Sequence, residues 1–205
     1  MRNKVAGLLL AAGASTRMGR PKQLLRVEGG KTLLDRLIDE SLSSDLDLVV
    51  LVLGSRCQEI KEALQVEKSH PKLRIIENKK YPEGISSSIR AGLSIVEDSY
   101  DHVMVLLGDM PYITTPVINL LLHHYLGSLL PLGALKTRKG RSHPVIIGRV
   151  FYPEIHRLTG DTGARDLFTR HSDQVLLLEA GDEYEDMDID TKEDYEQYQR
   201  VTSDE

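Results

Sequence analysis

Cys57 is the single cysteine in 205 residues, so an intrachain disulfide is excluded, as is a cysteine cluster for zinc. A reducing cytoplasm suits such a chain. Positive charge is not in excess either: 26 Lys and Arg stand against 31 Asp and Glu, for a net charge of -5. A broad nucleic-acid footprint needs clustered positive charge along one face and is not expected. Small anionic ligands need only a few local donors. Nor is there an apolar run near the roughly 20 residues of a membrane span. Arg2 and Lys4 ahead of Val5 to Ala12 imitate a short signal peptide. That run is thin, however, and passes directly into a loop of Gly, Ser, Arg and Lys, so it is expected to be a buried strand. Repeats, linkers and low-complexity segments are also missing. His123 and His124 are adjacent and point in different directions on a helix, and the other histidines lack metal spacing.

What is present is a chain with 40% apolar and 28% charged residues, an ordinary globular balance at the size of one substantial core. Val5 to Ala11 reads as a strand covered on both faces. Leu33, Leu34, Leu37, Ile38 and Leu42 then recur at helical spacing, on a helix expected to start near Lys31 or Thr32. The alternation continues with a strand over Leu48 to Leu53, a short helix carrying Ile60, Ala63 and Leu64, and a strand over Leu73 to Ile76. Next come a helix from Gly84 to Glu97, a strand over Val103 to Leu107, and a helix carrying Val117, Leu121 and Tyr125. Such alternation implies a parallel sheet with helices on both faces. Beyond Gly127 the rhythm changes. Leu132 to Thr137 and Val145 to Ile147 read as a hairpin through the basic turn Arg138, Lys139, Gly140 and Arg141. Val175 to Leu178 is a later strand. Thr191 followed by Asp194 opens a C-terminal helix expected to fray from about Thr202.

The most informative stretch is Leu10-Ala11-Ala12-Gly13-Ala14-Ser15-Thr16-Arg17-Met18-Gly19-Arg20-Pro21-Lys22. It follows the first strand, at the carboxyl end where open α/β sheets bind ligands. Small residues let backbone N–H groups approach a triphosphate, and Arg17 and Lys22 supply compensating charge. A solvated turn with incidental charges is the plainer alternative. Two familiar phosphate motifs are ruled out. Gly13 and Gly19 lie six apart with no Gly-Lys-Ser/Thr after them, and no G-x-G-x-x-G occurs.

This loop resembles the signature of the MobA-like nucleotidyltransferases, which include enzymes that attach CMP or GMP to molybdopterin and relatives that activate sugars and alcohols. Gly84-Ile85-Ser86-Ser87-Ser88-Ile89-Arg90, Leu107-Gly108-Asp109-Met110-Pro111, His143-Pro144, Gly160-Asp161-Thr162-Gly163-Ala164-Arg165 and Asp188-Ile189-Asp190-Thr191 follow in family order. Together they look like the molybdenum cofactor cytidylyltransferase branch, including relatives that mature xanthine dehydrogenase for purine catabolism. Guanylyltransferases of the family usually read LAGG with Asp-Lys at the loop's end, from which Ala12 and Pro21-Lys22 depart. The resemblance implies a three-layer, Rossmann-like α/β fold in one domain, its sheet mostly parallel with an antiparallel hairpin in the C-terminal half. Residues 1–112 would mainly bind nucleotide and 113–200 mainly the acceptor.

Asp109, just past the fourth strand, is a candidate Mg²⁺ ligand, because Mg²⁺ is held by one or two carboxylates together with phosphate oxygens and waters. The resemblance puts the second carboxylate at Asp190, with Asp188 as the neighbouring choice. Both also fit an acidic surface running from Asp182 to Glu196. Leu10, Ala11, Ala12, Gly13, Arg17, Lys22 and Gly108 are expected around the nucleotide. Gly84 with Ser86, Ser87 and Ser88 opens a helix whose N–H groups and hydroxyls either bond a base edge or a phosphate or serve as ordinary capping, and the resemblance makes Gly84, Ser86 and Ser87 the binding residues. Lys136, Arg138, Lys139, Arg141 and His143 form the strongly basic cluster of an acidic chain. Arg138 and Lys139 read as a solvated hairpin tip, whereas Arg141, His143 and Arg165 suit an acceptor phosphate or a pterin's polar edge.

The expected reaction is transfer of a nucleoside monophosphate, CMP favoured, from the triphosphate to molybdopterin with loss of pyrophosphate. Arg17, Lys22 and Asp109 would carry it with Mg²⁺. The partner implied beyond the substrates is the recipient molybdenum hydroxylase or its chaperone. Two rivals stand beside this: a transferase for sugar or alcohol phosphates, and a non-catalytic carrier of the finished cofactor, which has no need of a metal clamp.

Overall fold

The computed structural model describes residues 3–181 and 184–203. The strands are Val5–Ala11 (β1), Leu48–Leu53 (β2), Leu73–Glu77 (β3), His102–Leu107 (β4), Leu132–Thr137 (β5), Gly140–Gly148 (β6) and Val175–Glu179 (β7). They form one sheet in the order β3-β2-β1-β4-β6-β5-β7. β3, β2, β1 and β4 are mutually parallel, β6 runs antiparallel to both β4 and β5, and β7 returns parallel to β5. This is the expected mixed sheet. Every residue of β1 and β2 is buried, as unbroken apolar runs covered by helices on both faces require.

The helices are Leu33–Ser43 (α1), Cys57–Ala63 (α2), Ile85–Val96 (α3), Thr115–Gly127 (α4), Tyr152–Ile155 (α5), Arg165–Arg170 (α6) and Lys192–Ser203 (α7). Alternate residues of β1 feed two cores. Val5, Leu9 and Ala11 pack with α1, α2 and α4, while Ala6, Leu8 and Leu10 pack with α3, α5 and α6. Three layers result. No described helix is long and apolar enough to cross a membrane. The α1 start is set by Thr32, whose Oγ1 accepts from the Asp35 N–H at 3.0 Å. α7 begins with a reciprocal cap: the Thr191 N–H donates to Asp194 Oδ2 at 2.7 Å, and the Asp194 N–H donates to Thr191 Oγ1 at 3.2 Å. The helix continues to Ser203, past the expected fraying point. Arg2, Asp182 and residues 204–205 lie outside the described residues.

Two departures from the sequence reading matter for the site. The hairpin's second strand begins at Gly140, not Val145, so Arg141 and His143 belong to β6. Pairing passes from Ala134↔Val145 to Leu135↔Ser142, so His143 and Pro144 bulge out of the ladder. Pro144 has no N–H to give to it, and the bulge re-aims the residue before it. The second departure is α5 and α6, which fill the span between β6 and β7.

Candidate active site at the switch point

The chain moves outward from β1 to β2 and β3, then returns to β4 on the other side of β1. Strand direction leaves a crevice at that reversal, beyond the carboxyl ends of β1 and β4. A cleft of about 700 Å³ lies there. It is lined by Leu10, Ala11, Ala12, Gly13, Arg17 and Lys22 from the first loop, Gly84, Ile85 and Ser88 from the start of α3, Gly108 and Asp109 after β4, Asp161, and Asp190 before α7.

The first loop is braced from inside by Gln23. This side chain, 2% exposed, donates from Nε2 to the carbonyls of Ala11 at 3.1 Å and Gly13 at 3.3 Å, and its Oε1 accepts from Ser15 Oγ at 3.4 Å. Ser15 Oγ also accepts the Lys22 N–H at 3.1 Å. Ser15 sits at φ 52°, a conformation uncommon outside glycine. These bonds hold the ends of the loop together and fix where Lys22 leaves it.

Lys22 Nζ donates to Asp109 Oδ2 and to Asp190 Oδ1, each at 2.6 Å. Burial disfavours the ammonium, but the two carboxylates outweigh it and raise its pKa above the ordinary lysine value. Arg17 NH1 approaches Asp190 Oδ2 at 3.4 Å from a side chain that is 73% exposed. Asp190 is carried in by the backbone, since the Ile189 N–H donates to the Asp109 carbonyl at 2.9 Å. Asp188 faces the adjoining cavity instead. Its pKa is raised, first by burial and then by the charges of Asp109 and Asp190. Between the two acids left open by the sequence, geometry joins Asp190 to Asp109 through the lysine.

The residues present fit a divalent cation. Asp109 and Asp190 offer hard oxygens on one side of the cleft, and Asp109 Oδ1 is buried with no hydrogen-bond partner, a ligand atom to spare. Gly108 must stay small, because a Cβ there would lie 2.9 Å from the Leu10 carbonyl oxygen.

The serines of α3 are placed differently from expectation. Ser86 is 0% exposed and its hydroxyl lies in the interior. Ser87 Oγ is committed to the carbonyls of Lys80 and Gly84, both at 2.8 Å, and accepts from Asn78 Nδ2. Neither side chain lines the cleft; Gly84 and Ser88 do. The helical period accounts for this: Ser86 shares its face with the core residues Ile89, Leu93 and Val96, whereas Ser88 lies one turn from Ile85.

Arg141, His143 and Arg165 converge on a second cavity of about 630 Å³, which shares Ile85, Leu107 and Asp161 with the first. The Arg141 guanidinium stacks 5.1 Å from the Phe168 ring centre and donates to the Arg165 carbonyl at 3.2 Å. Burial, and then Arg165, lower the Arg141 pKa. Burial also lowers that of His143, opposed by Asp109 and Asp186, so its imidazole is neutral at pH 7. Arg138 and Lys139 are exposed at the tip, where Lys139 Nζ donates to the Asp186 carbonyl at 3.0 Å. Gln23, Asp161 and Asp186 line the two cavities without having been singled out as candidates, and Ser88, read with its neighbours, is the serine that lines the first. Asp161 lies inside a segment already singled out, whereas Gln23 looked like one more loop residue.

An open α/β sheet with a braced small-residue loop, a lysine and two carboxylates at its switch point defines a nucleotide-handling protein. The model of the MobA-like NTP transferase domain matches residues 7–175, and the chain belongs to that family. It is 32% identical over 195 residues to nicotine blue oxidoreductase of Paenarthrobacter nicotinovorans, covering 92% of this chain and 93% of that one. To the molybdenum cofactor cytidylyltransferase of Escherichia coli K12 it is 28% identical over 198 residues, covering 92% of each. Among solved structures, Rv0371c of Mycobacterium tuberculosis H37Rv superposes with a TM-score of 0.83 at 25% identity, over 97% of this chain and 98% of that one.

Proposed function

We propose that this chain transfers a nucleoside monophosphate, CMP in preference to GMP, from the triphosphate to a molybdopterin-type acceptor in the cytoplasm, for delivery to a molybdenum hydroxylase. The observation that carries the reading is the triad of Lys22, Asp109 and Asp190 at the floor of a cleft walled by the small-residue loop. In this reading the first cavity takes the nucleotide and the second the acceptor, so that residues 1–112 mainly bind nucleotide and residues 113–200 mainly the acceptor, with Asp161 and Asp190 reaching into the first cavity. The shared wall at Ile85, Leu107 and Asp161 supports the pairing of the cavities, since it puts the two occupants side by side. The oxidoreductase name of the Paenarthrobacter relative is not carried over. The loop after β1 has no dinucleotide fingerprint, and a lysine between carboxylates suits phosphates.

The acceptor's phosphate oxygen attacks the α-phosphorus in line. A new P–O bond forms there as the bond to the bridging oxygen of the β-phosphate breaks, and pyrophosphate leaves. A phosphate monoester is largely ionised at pH 7, with a second pKa of about 6, so no strong base is needed. His143, neutral, serves as a hydrogen-bonding wall of the acceptor cavity. Arg141 and Arg165 hold the acceptor's anionic group, and Phe168 offers a flat apolar surface beside it. Lys22, Arg17 and the backbone N–H groups from Ala12 and Gly13 meet the triphosphate oxygens, so catalysis comes from positioning and charge neutralisation. Asp109 and Asp190 would hold Mg²⁺, which supplies further neutralisation of the phosphates when bound. Support for cytosine comes from the LAAG form of the loop and from the cytidylyltransferase relative.

Purified protein incubated with Mg²⁺, molybdopterin and equal CTP and GTP should release pyrophosphate and give mainly the cytosine dinucleotide by mass spectrometry. Asp109→Asn should lower the rate at least about 100-fold with an unchanged circular dichroism spectrum. Predominant guanine product would overturn the base assignment alone. No product from any triphosphate would leave the carrier reading.

A further inference from the structure

We infer that Lys22 and the divalent cation alternate at one position, so that the lysine keeps the carboxylate pair closed to metal until a triphosphate draws it away. This rests on the nucleotidyltransferase reading above. A single nitrogen, Lys22 Nζ, lies 2.6 Å from one oxygen of Asp109 and 2.6 Å from one oxygen of Asp190. A Mg²⁺ bound to both oxygens would sit about 2.1 Å from each, inside the volume of the ammonium. Sterically and electrostatically, the two cations exclude one another.

The lysine is well placed to do this and free to stop. Its side chain is 14% exposed, against 73% for Arg17, so Lys22 faces the carboxylates in a half-dry setting, whereas water screens the Arg17 guanidinium. Its backbone is pinned by the bond to Ser15 Oγ, while a flexible four-carbon stem lets Nζ move without the loop. The cleft beside it is walled by Ala12 and Gly13. A triphosphate there offers several anionic oxygens to the ammonium, and the vacated Asp109 Oδ2 and Asp190 Oδ1 face the incoming cation. Metal and nucleotide therefore enter together, and the resting protein holds metal weakly.

The test measures Mn²⁺ alone, by the electron paramagnetic resonance of the free ion, against the full nucleotide-free chain. Lys22→Met should bind Mn²⁺ at least about 10-fold more tightly than wild type, because one near charge is removed from between two ligands. Lys22→Gln provides the same comparison should the methionine variant fail to fold. Arg17→Met removes the same charge from an exposed position and should gain less than about 3-fold. Adding Asp109→Asn to Lys22→Met should abolish the gain, which locates the ion. Equal affinities for wild type and both Lys22 variants overturn the inference, as does an equal gain in Arg17→Met. In wild type, a non-hydrolysable CTP analogue should raise the amount of protein-bound Mn²⁺. Bound analogue with no added Mn²⁺ overturns the exchange, whereas failure to bind any nucleoside triphosphate overturns the transferase reading and leaves the nucleotide-free comparison to be judged by itself.

Discussion

Gln23 shows how much of the shape of the loop after β1 is decided by one buried side chain. Buried at 2% exposure, it occupies both its amide ends on Ala11, Gly13 and Ser15. Gln23→Leu keeps the bulk and removes every bond, leaving two buried carbonyls without that donor. A net loss of about 1–1.5 kcal/mol per such bond should loosen the loop and raise KM for the nucleotide about 10-fold. kcat should fall far less, since the lysine and carboxylates remain. Steady-state kinetics with stability measured in parallel would check this, and an unchanged KM would show that the brace matters only to folding. Lys22 and Asp109 are legible in the sequence because a charged residue after a small-residue loop, or just past an apolar strand, has few structural uses. Gln23 is not legible, since an amide beside a lysine looks soluble until the backbone curls around it. Ser86 and Ser87 err the other way: a run of three serines suggests a polar surface, and only the phase of α3 shows that Ser88 is the one of the three that lines the cleft.

At the scale of elements, the start of α3 is where the two cavities share a wall. Gly84 holds φ 98°, and a Cβ there would lie 2.4 Å from the Gly160 carbonyl carbon and oxygen. Asp161 Oδ1 accepts the Ile85 N–H at 3.3 Å from the same loop. Gly84→Ala combines unfavourable backbone geometry with a clash against backbone that has no rotamer to change. A destabilisation of about 3 kcal/mol follows, which at this chain length lowers Tm by roughly 6–12 °C. Thermal unfolding followed by circular dichroism would measure it, and an unchanged Tm would show that the 160–163 loop is not seated on the helix. The long helices α1, α3 and α4 are legible because each shows its apolar stripe for about three turns or more. α5, with four residues, and α6, with six, are too short to display a period. The displaced start of β6 has a different cause: Pro144 breaks the apolar run and hides a strand that resumes on its other side.

For the molecule as a whole, two histidines tie stability to pH from opposite regions of the sheet. His102, at the start of β4, meets Tyr125 Oη at 3.0 Å through Nδ1, and its Nε2 is buried without a partner. Burial depresses its pKa below the ordinary value near 6.5, with Arg149 acting in the same direction and Asp101 against it. His143 is depressed as well, by burial first. Below pH 6.5 the unfolded chain takes up protons that the folded chain refuses. Stability is therefore complete above that pH and is lost as pH falls through the lower folded values. Tm should drop between pH 7 and pH 5, and His102→Gln should show a smaller drop than wild type over that interval. An identical drop would mean that His102 is solvated in the folded state. The parallel half of the sheet is legible as a whole because strand and helix alternate with right-handed crossovers. The parallel return of β7 beside β5 is not, since pairing at a sheet edge leaves little trace in a short apolar run.

Asp190 reaches Lys22 across a separation of 168 residues, and every strand of the sheet is complete by Glu179. The third side of the triad is thus supplied by a segment that contributes no strand to the sheet and is seated by a small cluster of Tyr195, Tyr198 and Ile189 against Leu25, Val27 and Leu33, together with bonds such as that from Tyr195 Oη to the Arg26 carbonyl at 2.6 Å. Sheet and site are therefore separable: a substitution that unseats Tyr195 should part Asp190 from Lys22 while every strand keeps its partners.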